Sequence, residues 1–193
     1  RNALATGYRV NVSTCISHTN LHSEGLRRLL ALTRELGVWC YFNLAVPAGN
    51  WRDCGEFMLT REDQAGMRRL LREHPHCRVD LHSNWHRVGC GAVKEKGYLT
   101  PYGDFLPCPF IQVSLGNLRE EGIGVIRRRA LRVPEFDAYC PRCLAAEEED
   151  FIRKTPCYSG WEGQLPIPYG EVEWLAERMG NTAGGGRREA AGR

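Results

Sequence analysis

Val38-Trp39-Cys40-Tyr41-Phe42-Asn43-Leu44-Ala45-Val46, stopped by Pro47-Ala48-Gly49, is a nearly continuous apolar run too short for a buried helix. It reads as a strand, and its unbroken apolar character predicts a parallel strand covered on both faces. Working outward from it, Leu26, Leu29, Leu30 and Leu36 recur at helical spacing behind the N-cap types Asn20 and Ser23, and Gly37 closes that helix. Before the helix, residues 8 to 16 alternate and carry Val10, Val12, Thr14 and Ile16, the pattern of a strand. After the central run, Thr60-Arg61-Glu62-Asp63 is a capping box with Asp in place of Glu and opens a helix to about Glu73. Val79, Leu81 and Trp85 predict another short strand. This β-α-β-α-β rhythm with short connections is the mark of an α/β layer built on a parallel sheet. Two or three strands cannot close a barrel, and the chain opens on Arg1 rather than Met, so the expectation is the C-terminal part of a longer chain.

The chain has 193 residues, 42% of them hydrophobic and 25% charged, with a net charge of +3. That composition belongs to a globular protein able to bury its own core, and it excludes wholesale disorder. No run approaches the roughly 18 apolar residues of a membrane span, and Arg1-Asn2-Ala3-Leu4 leads into no signal-peptide core. A cytoplasmic protein without a membrane partner is expected. Trp39, Trp51, Trp85 and Trp161 follow no base-stacking spacing, and no nucleic-acid partner is expected. Nine cysteines are many for such a chain. The odd number and irregular spacing make a poor disulfide framework, so metal ligands, reactive thiols and small core residues are the alternatives.

The texture changes near residue 87. Tyr98-Leu99-Thr100 and Phe105-Leu106 flank Pro101-Tyr102-Gly103-Asp104, a β-hairpin with its turn. Asn117 with Glu120 reads as a second capping box, starting a helix through Ile123, Ile126 and Ala130. Short helices are expected over Leu144 to Arg153 and Glu171 to Met179, and the Gly-rich end as a flexible tail. Arg127-Arg128-Arg129 and the acidic run Glu147 to Asp150 read as solvated helix faces.

Four cysteines fall in this second part. Cys90 and Cys108 bracket the hairpin, and Cys140-Pro141-Arg142-Cys143 is a CxxC after the following helix. A hairpin joins its flanks and a CxxC turn aims two sulfurs together, so the four could meet at one metal, iron–sulfur or zinc. The alternative is two small buried cysteines and a chance turn. Cys15 and Cys40, inside predicted strands, read as core packing, and Cys54 and Cys157 as single loop thiols. A rival run, Cys77, His82, His86 and Cys90, has zinc-ligand residue types and would need residues 82 to 90 to be helical.

Cys90, twelve residues, Gly103, four residues and Cys108 is similar to the C-x(9–15)-G-x4-C signature of the SPASM and twitch domains of radical S-adenosylmethionine enzymes. The hairpin from Gly97 to Pro109 and Gly116-Asn117-Leu118 behind it resemble the same family. Val10 to Asn20 and Gly37 to Gly49 resemble late strands of its radical barrel. The resemblance implies an α/β fold with the C-terminal portion of a partial (β/α) barrel over residues 1–86. A small α+β twitch/SPASM-like domain follows over 87–155, then a C-terminal extension over 156–179 and a tail over 180–193. It implies that Cys90, Cys108, Cys140 and Cys143 hold an auxiliary [4Fe–4S] cluster. The next cysteine is Cys157, too distant for the rest of a full SPASM motif, so one auxiliary cluster is expected.

The implied activity is radical oxidation or modification of a substrate by the full-length oxidoreductase or maturase. S-adenosylmethionine, a second [4Fe–4S] cluster and an electron donor such as flavodoxin or ferredoxin would serve it. The substrate, a peptide, a protein side chain or a small molecule, is not specified, and no catalytic residue is assigned. The C-x3-C-x2-C loop that binds the cleaving cluster is absent from these residues, so this stretch alone is expected to be inactive. The competing reading is a non-catalytic zinc-binding module on the same four cysteines.

Overall fold

The computed structural model describes residues 1–84 and 87–180. After a one-turn helix α1 (Asn2–Ala5), a three-stranded parallel sheet has β1 (Asn11–Ile16), β2 (Trp39–Leu44) and β3 (Cys77–Val79) in sequential order. The crossovers are α2 (Glu24–Glu35) and α3 (Arg61–Glu73). Ser23 caps α2 by accepting the Leu26 N–H at 3.1 Å, and Gly37 leaves the helix at φ +65°. The Thr60–Asp63 capping box forms in both directions, with Asp63 N–H donating to Thr60 Oγ1 at 3.1 Å and Thr60 N–H to Asp63 Oδ2 at 3.0 Å. Asp63 does more than cap, since its buried carboxylate also meets His18 Nδ1 at 2.7 Å and His22 Nε2 at 3.3 Å.

Both crossover helices cover one face of this sheet. Leu26 and Leu30 of α2 and Met67 and Leu71 of α3 share a core with Ile16, Cys40, Phe42, Cys77 and Val79. The register pairs Val12 with Cys40 and Thr14 with Phe42 on that face, and Asn11 with Trp39 and Ser13 with Tyr41 on the other. Trp39 and Tyr41 are exposed, which corrects the expectation of a strand covered on both faces. Continuous apolar residues do not distinguish a strand buried twice from one whose second face carries amphipathic rings, and here Arg78 lies over the Trp39 ring at 4.3 Å. Cys15 falls on the open face and is exposed, so it is not core packing, whereas Cys40 is buried as expected.

The second core belongs to the rest of the described chain. The hairpin forms where the sequence places it, with β4 (Tyr98–Leu99) antiparallel to β5 (Phe105–Leu106) and Leu99 opposite Phe105. Gly103 turns it at φ +93°. Then come β6 (Val113–Ser114), α4 (Ile123–Ala130), α5 (Pro134–Asp137) and α6 (Glu149–Lys154), followed by β7 (Ile167–Pro168) and α7 (Glu173–Met179). β7 pairs in parallel with β6, and Tyr158, Tyr169, Leu175 and Met179 enter the same core as Ile126, Val133 and Phe136. The stretch read as a C-terminal extension thus completes this core.

Three local expectations change. Asn117 does not cap a helix, since α4 begins at Ile123 behind Gly122. Its buried amide instead donates to Tyr102 O at 3.1 Å and Asp104 Oδ1 at 2.9 Å, and accepts from Arg119 N–H at 2.9 Å. The arginine run is only partly solvated, because Arg129 ion-pairs with Glu121, donates to Leu115 O at 2.7 Å and lies over Tyr169. Glu147 is buried rather than part of an acidic face. Trp85, His86 and the tail from residue 181 lie outside the described residues. The described part is mixed α/β with small parallel and antiparallel sheets and no closed barrel. No helix in it is long and apolar enough to cross a membrane.

Candidate metal centre

Three segments carry the four assigned cysteines. Cys90 follows Gly89, whose φ of +68° and close approach to Cys140 leave no room for a side chain: an added Cβ would sit 2.2 Å from Cys140 O. Cys90 N–H donates to Cys140 O at 2.7 Å, so the first cysteine is tied directly to the CxxC turn. Cys108 sits at the end of the hairpin, where a tight turn brings the Ile111 N–H onto Cys108 O at 3.1 Å. Cys143 opens the next turn, with its N–H donating to Glu147 Oε2 at 2.7 Å. Buried Glu147 is held from the first core as well, for Arg68 of α3 approaches its carboxylate at 3.7 Å and Gln64 donates to its backbone oxygen at 3.2 Å.

The sulfurs share one electrostatic environment. Burial pushes the Cys108 thiol up, and Cys90 adds to it. Burial pushes Cys143 well up, with Cys90 and Cys108 the next contributors. Cys140 is pushed up to about 11 by burial, with Glu148 and Cys90 contributing. Backbone groups act in the opposite sense. Phe110 and Ile111 stabilise a Cys108 thiolate, Ala145 a Cys143 thiolate and Arg142 a Cys140 thiolate. Amides two or three residues beyond a cysteine, turned onto its sulfur, favour the deprotonated, metal-binding form. At Cys108, Cys140 and Cys143 burial outweighs these backbone groups.

Cys157 belongs here too, against the expectation of an isolated loop thiol. It is buried in the same core, burial pushes it up to about 12, and Cys108 and Arg52 are among the groups that act on it. Arg52 arrives from the loop after β2, where Asp53 N–H donates to Tyr158 O at 3.2 Å. Next to Cys157, the Tyr158 ring is 1% exposed and its hydroxyl has no hydrogen-bond partner. After burial, the groups that act most on that hydroxyl are Cys157, Cys108, Cys143 and Cys90. An unpartnered buried hydroxyl costs about 1–3 kcal/mol. Nothing in the sequence marks Tyr158 or Arg52.

Among the described residues the rival zinc run does not assemble. Cys77 lies in β3, in the first core, where it faces Cys40 across the sheet, while Cys90 is in the second core. Residues 82–84 form a 3-10 turn and Gly89 bridges to Cys140, so the described residues of this stretch are not helical, and His86 lies outside them. Cys54 is half-buried, with its thiol near Asn50 O.

The four assigned cysteines thus converge without closing on one point. Among the described residues no three His, Cys, Asp or Glu side chains stand at metal-binding separation. Cys140 is the member turned aside: its thiol donates to Arg142 O at 3.3 Å and Glu148 Oε1 at 3.5 Å, and Arg142 pairs with the same carboxylate. The donor set, all sulfur with amides turned toward it, fits a soft metal or an iron–sulfur cluster better than a hard cation. Compared with protein-family profiles, curated proteins and solved structures, the chain finds no match.

Proposed function

We propose that residues 87–180 form an auxiliary-cluster unit, with Cys90, Cys108, Cys140 and Cys143 holding one [4Fe–4S] cluster. The chain would then be the C-terminal part of a radical S-adenosylmethionine oxidoreductase or maturase. The observation that carries this reading is the meeting of cysteines from three separate segments in one core, with backbone amides favouring their thiolates. A single thiolate here is opposed by burial, whereas the positive charge of an iron core would offset the desolvation of the thiolates that bind it. When bound, such a cluster supplies a one-electron acceptor or a substrate ligand beside the radical site. The chain's own residues do the positioning: Gly89 lets Cys90 approach the CxxC turn, and Glu147 anchors Cys143 to α3. In this reading, S-adenosylmethionine cleavage belongs to a C-x3-C-x2-C loop, which these residues do not contain. The sequential sheet, with both crossover helices on one face, supports the barrel half, because a (β/α) barrel repeats that arrangement.

The test is anaerobic reconstitution with ferrous iron and sulfide. A broad charge-transfer absorption that bleaches on reduction is expected in the parent chain. It should be strongly reduced in Cys108→Ala and Cys143→Ala and retained in Cys15→Ala and Cys54→Ala. Equal absorption in all variants would remove the assignment.

A further inference from the structure

Cys40 and Cys77 are register partners on the neighbouring parallel strands β2 and β3. Side chains alternate along a strand, so Cys40 with Phe42 and Cys77 with Val79 turn to the face that α2 and α3 cover, and all four are buried in one core. Both cysteines are free thiols. Neighbouring strands lie about 4.7–4.9 Å apart, inside the roughly 4.4–6.8 Å between α-carbons that a disulfide spans. Among the described residues no other two cysteines are paired in this way. β3 is also the strand best placed to open, being three residues long and paired with β2 alone at the sheet edge. We propose that Cys40 and Cys77 are a redox-sensitive pair, reduced in this structure, whose oxidation to a disulfide staples the edge strand β3 to β2. A peroxide is the oxidant. One sulfur takes an oxygen from it to become a sulfenic acid, with one water released. The second sulfur then displaces that oxygen as a second water, so the pair gives up two hydrogens and two electrons and gains one S–S bond. A thiol reductant reverses the step. Burial raises both thiols and favours their unreactive neutral form, so the oxidation is slow and follows opening of the edge. The pair lies in the first core, and the inference does not depend on the cluster reading.

The experiment treats the full chain with hydrogen peroxide at neutral pH without denaturant, blocks the remaining thiols and digests with trypsin. Glu35–Arg52 and Glu73–Arg78 are tryptic peptides with one cysteine each, so the bond appears as one joined peptide. It should weigh two hydrogens less than the two parts and separate in dithiothreitol. Recovery of both peptides with blocked thiols, or joined only to other cysteines, would overturn the inference. Hydrogen exchange supplies the second readout. The Cys40 N–H donates to His76 O at 3.0 Å across the two strands. Its exchange should slow in the oxidised chain and recover on reduction, and unchanged exchange in a fully joined chain would overturn the staple. Cys77→Ser should show no slowing with peroxide, and the same slowing there would refute the assignment to this bond. The peptide map of the parent decides the question even where that variant fails to fold.

Discussion

Asn117→Ala removes the tie between the hairpin turn and the chain behind it. The buried amide makes three hydrogen bonds, to Tyr102 O, to Asp104 Oδ1 and from Arg119 N–H, at 3.1, 2.9 and 2.9 Å. Each such bond contributes about 1 kcal/mol net, and the methyl that replaces the amide offers no substitute, so a loss of about 3 kcal/mol is expected. For a chain of this size that is a fall of roughly 6–12 °C in Tm, read by differential scanning calorimetry. The damage should be local to the second core, whose hairpin carries Cys108. Hydrogen exchange should quicken at Phe105 and Leu115, whose N–H groups bond Gly116 O and Phe105 O, and not at Cys40 in the first core. Asn117→Asp should be worse still, because it sets a second carboxylate against Asp104. A Tm within about 2 °C of the parent, or protection lost equally in both cores, would refute this reasoning.

Other outcomes follow from the two cores. Burial alone would raise the Asp63 carboxyl, but hydrogen bonds from His18 and from the Thr60 hydroxyl and amide outweigh it and hold the group below its ordinary value. Its support is therefore full above about pH 4 and fades as pH falls through the lower folded value. Asp63→Asn should cost about 2 kcal/mol in urea unfolding at pH 7, and the gap to the parent should narrow toward pH 3; a constant gap would contradict the network. In metal-free chain at pH 8, a thiol reagent followed by mass mapping should modify exposed Cys15 and half-buried Cys54 first. Cys77, pushed up to about 12 by burial with Cys40 contributing, should react only on unfolding; early labelling there would contradict the described sheet.

Where a local signal and the tertiary environment agree, the sequence is legible. The capping box at Thr60, the Gly37 stop and the Gly103 turn are fixed within a few residues, and the structure has them all. The sheet face opposite the helices was not legible, because Trp39 and Tyr41 look alike in a core and over an open face. Asn117 has the right residue type for a cap, yet a long-range partner, the Tyr102–Asp104 turn, claims its amide. Glu147 and Arg129 sit in charged runs that usually face water, and only tertiary contacts to Arg68 and Glu121 reveal them as drawn inward. In the candidate site, the hairpin and the CxxC pattern made Cys90 and the CxxC turn candidates for one place, and the hydrogen bond from Cys90 N–H to Cys140 O joins them. Cys157 and Tyr158 are brought there by the pairing of β6 with β7 and the packing of the segment before it, which no short-range pattern records.

The central claim is tested most directly by elemental analysis of the chain purified without oxygen and without added metal. The account predicts iron and acid-labile sulfide in equal amounts, close to four of each per chain, with zinc at trace level. Stoichiometric zinc without sulfide would contradict it and favour a structural zinc site on the four cysteines. A metal-free chain that also refuses reconstitution would leave the buried thiols as core packing alone.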